Sequence, residues 1–151
     1  MKLAEALILR SDLQKRIEQI KSRLQQNVLI QEGDTPSEDP NTLLKEFSTL
    51  QNDLTKIIKA INKTNSQTML DEKKHLADAL VERDALLAKR NMLSDIAEAA
   101  SQKQARYSRS EIKYISTVDV KKIQKEIDKL SKAYRELDTA IQAMNWQIDL
   151  L

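Results

Sequence analysis

Val120, Ile123, Ile127, Leu130, Tyr134, Leu137, Ile141, Met144 and Ile148 alternate steps of three and four without a break. That spacing puts all of them on one face of a helix and scatters them over both faces of a strand. A stripe of this length reads as a heptad seam, which a chain in water has to cover with other helices.

Three earlier segments carry the same period. Leu3, Leu7, Leu13, Ile17, Ile20, Leu24 and Val28 predict a first helix over about residues 2–30. Residues 31–38 read as a loop with the only glycine, Gly33, and Pro36. Asp39-Pro40 reads as a helix start, because Asp accepts from free backbone N–H groups and Pro is tolerated at the first helical position. From there Leu43, Phe47, Leu50, Leu54, Ile57 and Ile61 define a second helix, expected to end near Asn62-Lys63-Thr64-Asn65-Ser66. After a connection through about Leu70, a third helix reads Leu76, Ala79, Arg83, Leu86, Arg90, Leu93, Ala97 and Ala100, with two arginines on its apolar seam. Gln102 to Thr117 breaks the pattern. Within it, Ile112 to Val118 is β-branched and aromatic enough for a short strand. The last helix is expected to begin near Thr117 or Asp119.

One Gly in 151 residues argues against sandwiches, barrels and Rossmann folds, whose turns and phosphate loops need positive φ repeatedly. With only Phe47, Trp146, Tyr107, Tyr114 and Tyr134 as aromatics, the core has to be aliphatic. The fold class expected is all-α. It is a single domain over 1–151, an elongated antiparallel four-helix bundle or coiled coil with one long, partly extended loop before the last helix. Its seams leave apolar stripe that one thin bundle does not cover, so a homo-oligomer, at least a dimer, is expected.

Lys and Arg number 25 against 23 Asp and Glu, a net charge of +2. That balance provides no general attraction to nucleic acid or anionic lipid, so any such partner has to use a local patch. The absence of Cys removes disulfides, thiolate catalysis, zinc fingers and Fe–S clusters, and fits a reducing compartment. The apolar stretch Leu3, Leu7, Ile8, Leu9 is interrupted by Glu5 and ends at Arg10, which fits neither a signal peptide nor a membrane span. A cytoplasmic location is expected, with no transmembrane segment.

Arg106-Tyr107-Ser108-Arg109-Ser110-Glu111-Ile112-Lys113, followed by Ser116-Thr117-Val118-Asp119, resembles the septicolysin-like family of small helical bacterial proteins. The opening Met1-Lys2-Leu3-Ala4-Glu5-Ala6-Leu7 is similar too, as are Ile61-Asn62-Lys63-Thr64-Asn65, Ala79-Leu80-Val81-Glu82-Arg83-Asp84 and Asn145-Trp146. The resemblance implies an α-helical bundle and no defined activity. It departs before the third helix, where Asp71-Glu72-Lys73-Lys74-His75 stands in place of an expected Gly-containing turn.

Chemistry-bearing constellations are few. Glu72-x-x-His75, with Asp71, Asp78 and Glu82 near, is half of a carboxylate-bridged di-metal motif. The single His leaves the other half missing, so no metal and no cofactor are expected. No nucleophile motif or phosphate loop can be assembled around it, and the carboxylates fall on solvated helix faces, so no enzyme is expected.

The loop over 103–114 carries Lys103, Arg106, Arg109 and Lys113 against Glu111, with Tyr107 and Tyr114 interleaved, the composition of a single-strand nucleic-acid platform. Glu32, Asp34, Glu38 and Asp39 make the first loop acidic, and docking between loops of opposite charge is the preferred reading. Trp146 reads as an anchor closing the bundle end. Arg83 and Arg90 read as register devices in a hairpin of the second and third helices. Asp53 with Arg83 and Glu46 with Arg90 both sum to 136, the constant sum that facing positions of an antiparallel pair require.

The functional expectation is a non-enzymatic homo-oligomeric scaffold or interaction protein, binding itself and a protein partner. Arg106, Tyr107, Arg109, Lys113 and Tyr114 form its interaction loop. The alternative is a polyanion-binding or membrane-surface protein using that loop and a basic first helix bearing Lys2, Arg10, Lys15, Arg16, Lys21 and Arg23.

Overall fold

The computed structural model describes residues 1–102 and 112–151, which form four α-helices and no strand. They are α1 (Leu3–Asn27), α2 (Pro40–Gln67), α3 (Leu76–Ala100) and α4 (Val120–Gln147). The fold is all-α. By packing, the chain divides into two compact units, one of Met1–Met69 with Gln142–Leu151 and one of Leu70–Ile141.

In the first unit α1 and α2 form an antiparallel hairpin around Leu13, Ile20, Leu43, Leu50 and Leu54, all buried. Half-buried Leu9, Ile17, Leu24, Ile57 and Ile58 pack against them. The expected seams therefore supply most of the observed core, with Phe47 left exposed and Leu9 and Ile58 added from outside them. α1 is shorter than its periodicity suggested. It stops at Asn27, whose amide donates to the Arg23 carbonyl (2.7 Å) and whose Oδ1 accepts from the Glu38 N–H (3.0 Å). The loop is thereby tied to the helix, and Val28 is exposed. Gly33 has φ +92°, a left-handed conformation that L side chains rarely adopt. Asp39 caps α2 as read, accepting from the Asn41 N–H (3.0 Å) and the Thr42 hydroxyl (3.1 Å), with Pro40 at the first helical position.

α2 ends at Gln67, close to where the sequence placed its end, with the polar residues 62–66 carried inside the helix. The reason is Thr64, fully buried three residues after Ile61. Its hydroxyl donates to the Ala60 carbonyl (2.9 Å) and accepts from the Leu151 N–H (2.9 Å). The chain ends are tied together beside it. Leu3 N–H donates to the Ile148 carbonyl (3.1 Å), Leu150 N–H to the Met1 carbonyl (2.9 Å), and Lys2 pairs with Asp149 (2.8 Å). Trp146 is not the anchor the sequence suggested: it is 56% exposed, while its neighbour Asn145 is buried.

Arg23 and Glu38 pair through both guanidinium and carboxylate forks. The hydrogen bond from Arg23 outweighs partial desolvation and holds the Glu38 carboxyl below its ordinary value of 4.5. Backbone N–H groups of Lys73 and Lys74 lower Asp71, and Lys2 lowers Asp149. A carboxyl depressed in the folded chain stabilises fully above its unfolded pKa, and that contribution is lost as pH falls through the lower folded value. The melting temperature is therefore expected to drop as pH is taken from neutral down through and below 4.5, and Glu38→Gln should flatten part of that drop. An identical profile for Glu38→Gln would show the pair to be idle.

In the second unit α3 and α4 run antiparallel. Arg83 Nη1 donates to Asp138 Oδ1 (3.0 Å) and Arg90 Nε donates to Ser131 Oγ (3.0 Å). Both pairs of residue numbers sum to 221. The same register, within one residue, sets Leu93 against Ile127, Leu86 against Tyr134 and Ala79 against Ile141, all positions of the two expected seams. Asp119 caps α4, accepting from the Lys122 N–H (3.2 Å).

Candidate functional site

The register reading named the right arginines and the wrong partners. Arg83 pairs with Asp138 and Asp84, and Arg90 bonds Ser131 and Asn91; neither Asp53 nor Glu46 takes part. Both arginines lie on the seam facing α4, so α4 is what satisfies them. Glu46 instead contributes to the field at Arg23, and Asp53 is exposed. Burial pulls the Arg83 guanidinium down, and the carboxylates of Asp138 and Asp84 more than offset it, leaving Arg83 above its ordinary pKa.

Of the expected interaction loop, Lys103, Arg106, Tyr107 and Arg109 lie outside the described residues. Lys113 and Tyr114 are described and exposed. The strand suggested for Ile112 to Val118 is not formed: residues 112–116 have no regular structure, and Ile112, Tyr114 and Ile115 are exposed. Ser116 closes a local turn into the α4 cap, donating to the Val118 carbonyl (2.7 Å).

His75 is the N-cap of α3 and lies 3.8 Å from Asp78, with Glu72 exposed in the preceding turn. Among the described residues no three His, Asp or Glu side chains are placed to hold a metal ion. No described helix is long and apolar enough to cross a membrane.

Two surfaces of the second unit were not read from the sequence. On α3, Val81, Ala85, Ala88, Met92, Ile96 and Ala99 are all exposed. At about 100° per residue they share an arc of about 80° on the side opposite the α4-facing seam. Beside this stripe, Ala88, Lys89, Met92, Leu93, Glu126 and Leu130 line an open groove of about 480 Å³. The groove floor is apolar and its rim carries one charge of each sign. On α4, the face turned away from α3 carries Lys121, Lys122, Lys125, Lys129 and Lys132, all exposed. The apolar stripe could have been found as a second three-four period on α3. It is obscured because its steps interleave with those of the stronger inner seam.

A family model described as "Family of unknown function (DUF6847)" matches residues 10–150. The crystal structure of a functionally unknown conserved protein from Corynebacterium diphtheriae is 45% identical, with a TM-score of 0.95 over 100% of this chain and 99% of that one. No curated protein matches the chain in sequence. Neither match carries the septicolysin-like name that the motifs suggested.

Proposed function

We propose that this chain, which belongs to the family of unknown function (DUF6847), is a non-enzymatic interaction protein of the cytoplasm that self-associates through the outer face of α3. The observation carrying this reading is the stripe from Val81 to Ala99. It consists of six apolar residues, every one exposed, on a helix whose opposite face is already satisfied by α4. Val81 is 70% and Met92 62% exposed, side chains whose removal from water contributes about 25 cal/mol per Å². Three alanines in the stripe let a second helix approach toward the short end of the 8–10 Å interaxial range. The stripe presents no charge of its own, and a symmetric copy offers the same apolar surface in return, the requirement of an isologous dimer.

The reading assigns no catalytic residue. Chemistry needs a pocket that perturbs a titratable group, and the groove beside the stripe offers Lys89 and Glu126 on an open surface.

Sedimentation at micromolar concentration tests the proposal. The wild type is expected as a dimer or larger species in both low and high salt, because apolar contact is insensitive to screening. Met92→Glu should yield a monomer of unchanged helicity. A wild-type monomer under both conditions would overturn the reading.

A further inference from the structure

We infer that the outer face of α4 binds the phosphodiester backbone of nucleic acid without reading its bases. The near-zero net charge left only a local patch as a means of holding a polyanion, and α4 presents one where the sequence reading had looked to the loop before it. Lys121, Lys125, Lys129 and Lys132 follow steps of four, four and three, and Lys122 flanks them, so five ammonium groups lie along one side of the helix. The run spans about 17 Å at about 1.5 Å per residue. Each strand of duplex DNA carries one charge per about 3.4 Å of axis, so a lysine row of that length runs alongside about five phosphates of one strand.

The lysines are available. Lys121, Lys122, Lys125 and Lys129 form no ion pair among the described residues, and Lys132 approaches only Glu136, at 3.9 Å. Of the acids nearby, Glu136 lies on the lysine face one turn beyond Lys132, and the others sit at the margins. Asp128 accepts from Gln124 on one flank, Glu126 lines the groove on the other, and Asp119 is occupied as the helix cap. Glu126 stands four residues after Lys122, and Asp128 and Glu136 four residues to either side of Lys132, so acids face only the row's flank and its C-terminal end. Here Lys121, Lys125 and Lys129 are themselves i and i+4 neighbours, an arrangement that destabilises the isolated helix and is relieved by a phosphate row. Exposed Lys113 and Tyr114 precede the helix, adding a cation and a stacking ring on the same connection. The face is directed away from α3, so the inference stands independently of the self-association proposed above.

Fluorescence anisotropy with a labelled 30-base-pair duplex and a 30-nucleotide single strand, alongside co-sedimentation with phosphatidylserine vesicles, tests this. Binding of a nucleic-acid probe should weaken about 100-fold between 50 and 200 mM salt if about four phosphates are neutralised. The triple variant Lys121→Ala, Lys125→Ala, Lys129→Ala should lose most of the affinity and about three-quarters of the salt slope. Its helicity and oligomer mass should be unchanged. A control removing the same charge from α2, Lys45→Ala, Lys56→Ala, Lys59→Ala, should bind as the wild type does. Three results would each overturn the inference: no binding of either nucleic acid at low salt, equal losses in the control, or binding of vesicles but of neither nucleic acid.

Discussion

Ile20→Ala is expected to lower the unfolding free energy by about 2–5 kcal/mol, the range for truncating a fully enclosed aliphatic side chain. Ile20 is 1% exposed, at the centre of the cluster that joins Leu13 on its own helix to Leu43, Leu50 and Leu54 on α2. Removing its outer carbons forfeits transfer free energy and leaves a void that two helices joined by a capped, hydrogen-bonded loop close only in part. Urea titration followed by circular dichroism measures this as a lower midpoint at constant slope. Leu29→Ala serves as the comparison: Leu29 is 87% exposed, and its truncation should change stability by less than about 0.5 kcal/mol. A loss for Ile20→Ala as small as that of Leu29→Ala would mean that α1 and α2 do not pack as described.

The second large effect is an asymmetry. Asp138→Ala should cost about 1.5–3 kcal/mol, because it strips the main partner from a guanidinium held on a helix seam. Arg83→Leu should be close to neutral or stabilising, since Leu at that seam position packs without a desolvation cost. Side-chain exposures of 22% for Arg83 and 33% for Asp138 place the pair between a surface bridge and a buried one. Introducing Arg83→Leu in the Asp138→Ala background should recover most of the loss. Strictly additive losses in that double-mutant cycle would show that the two groups do not act as a pair. The predicted outcome makes the arginine layers devices of register, and stability comes from the apolar layers between them.

Most of the helical architecture was legible in the sequence, and the reason is periodicity. Each seam places its residues at three- and four-residue steps, and the core residues Leu3, Leu13, Ile20, Leu43, Leu50, Leu54, Ile61, Leu76, Ala79, Ala97, Ile127 and Ile141 all belong to the seams so read, whereas buried Ala4 and Ala6 do not. The Asp39-Pro40 start was legible for a related reason, since N-capping is a bond between residues two or three apart. Local chemistry of this kind is complete within a short window of sequence.

What the tertiary structure decided involves partners distant in the chain. Thr64 looked like part of a polar helix end, and only its bond to Leu151 makes it a buried continuation of α2. Trp146 looked like an anchor, and the closure is made instead by backbone bonds of Leu3 and Leu150 with a Lys2–Asp149 pair. The constant-sum rule was a sound argument for Arg83 and Arg90, but polar acceptors at matching seven-residue spacing occur on more than one helix, Ser131 and Asp138 on α4 among them, and the rule does not choose between helices. Packing chose α4, giving a sum of 221 in place of 136. The same choice turned Val81 to Ala99 and the α4 lysines outward, because a helix face becomes a free surface only once its opposite face has found a neighbour.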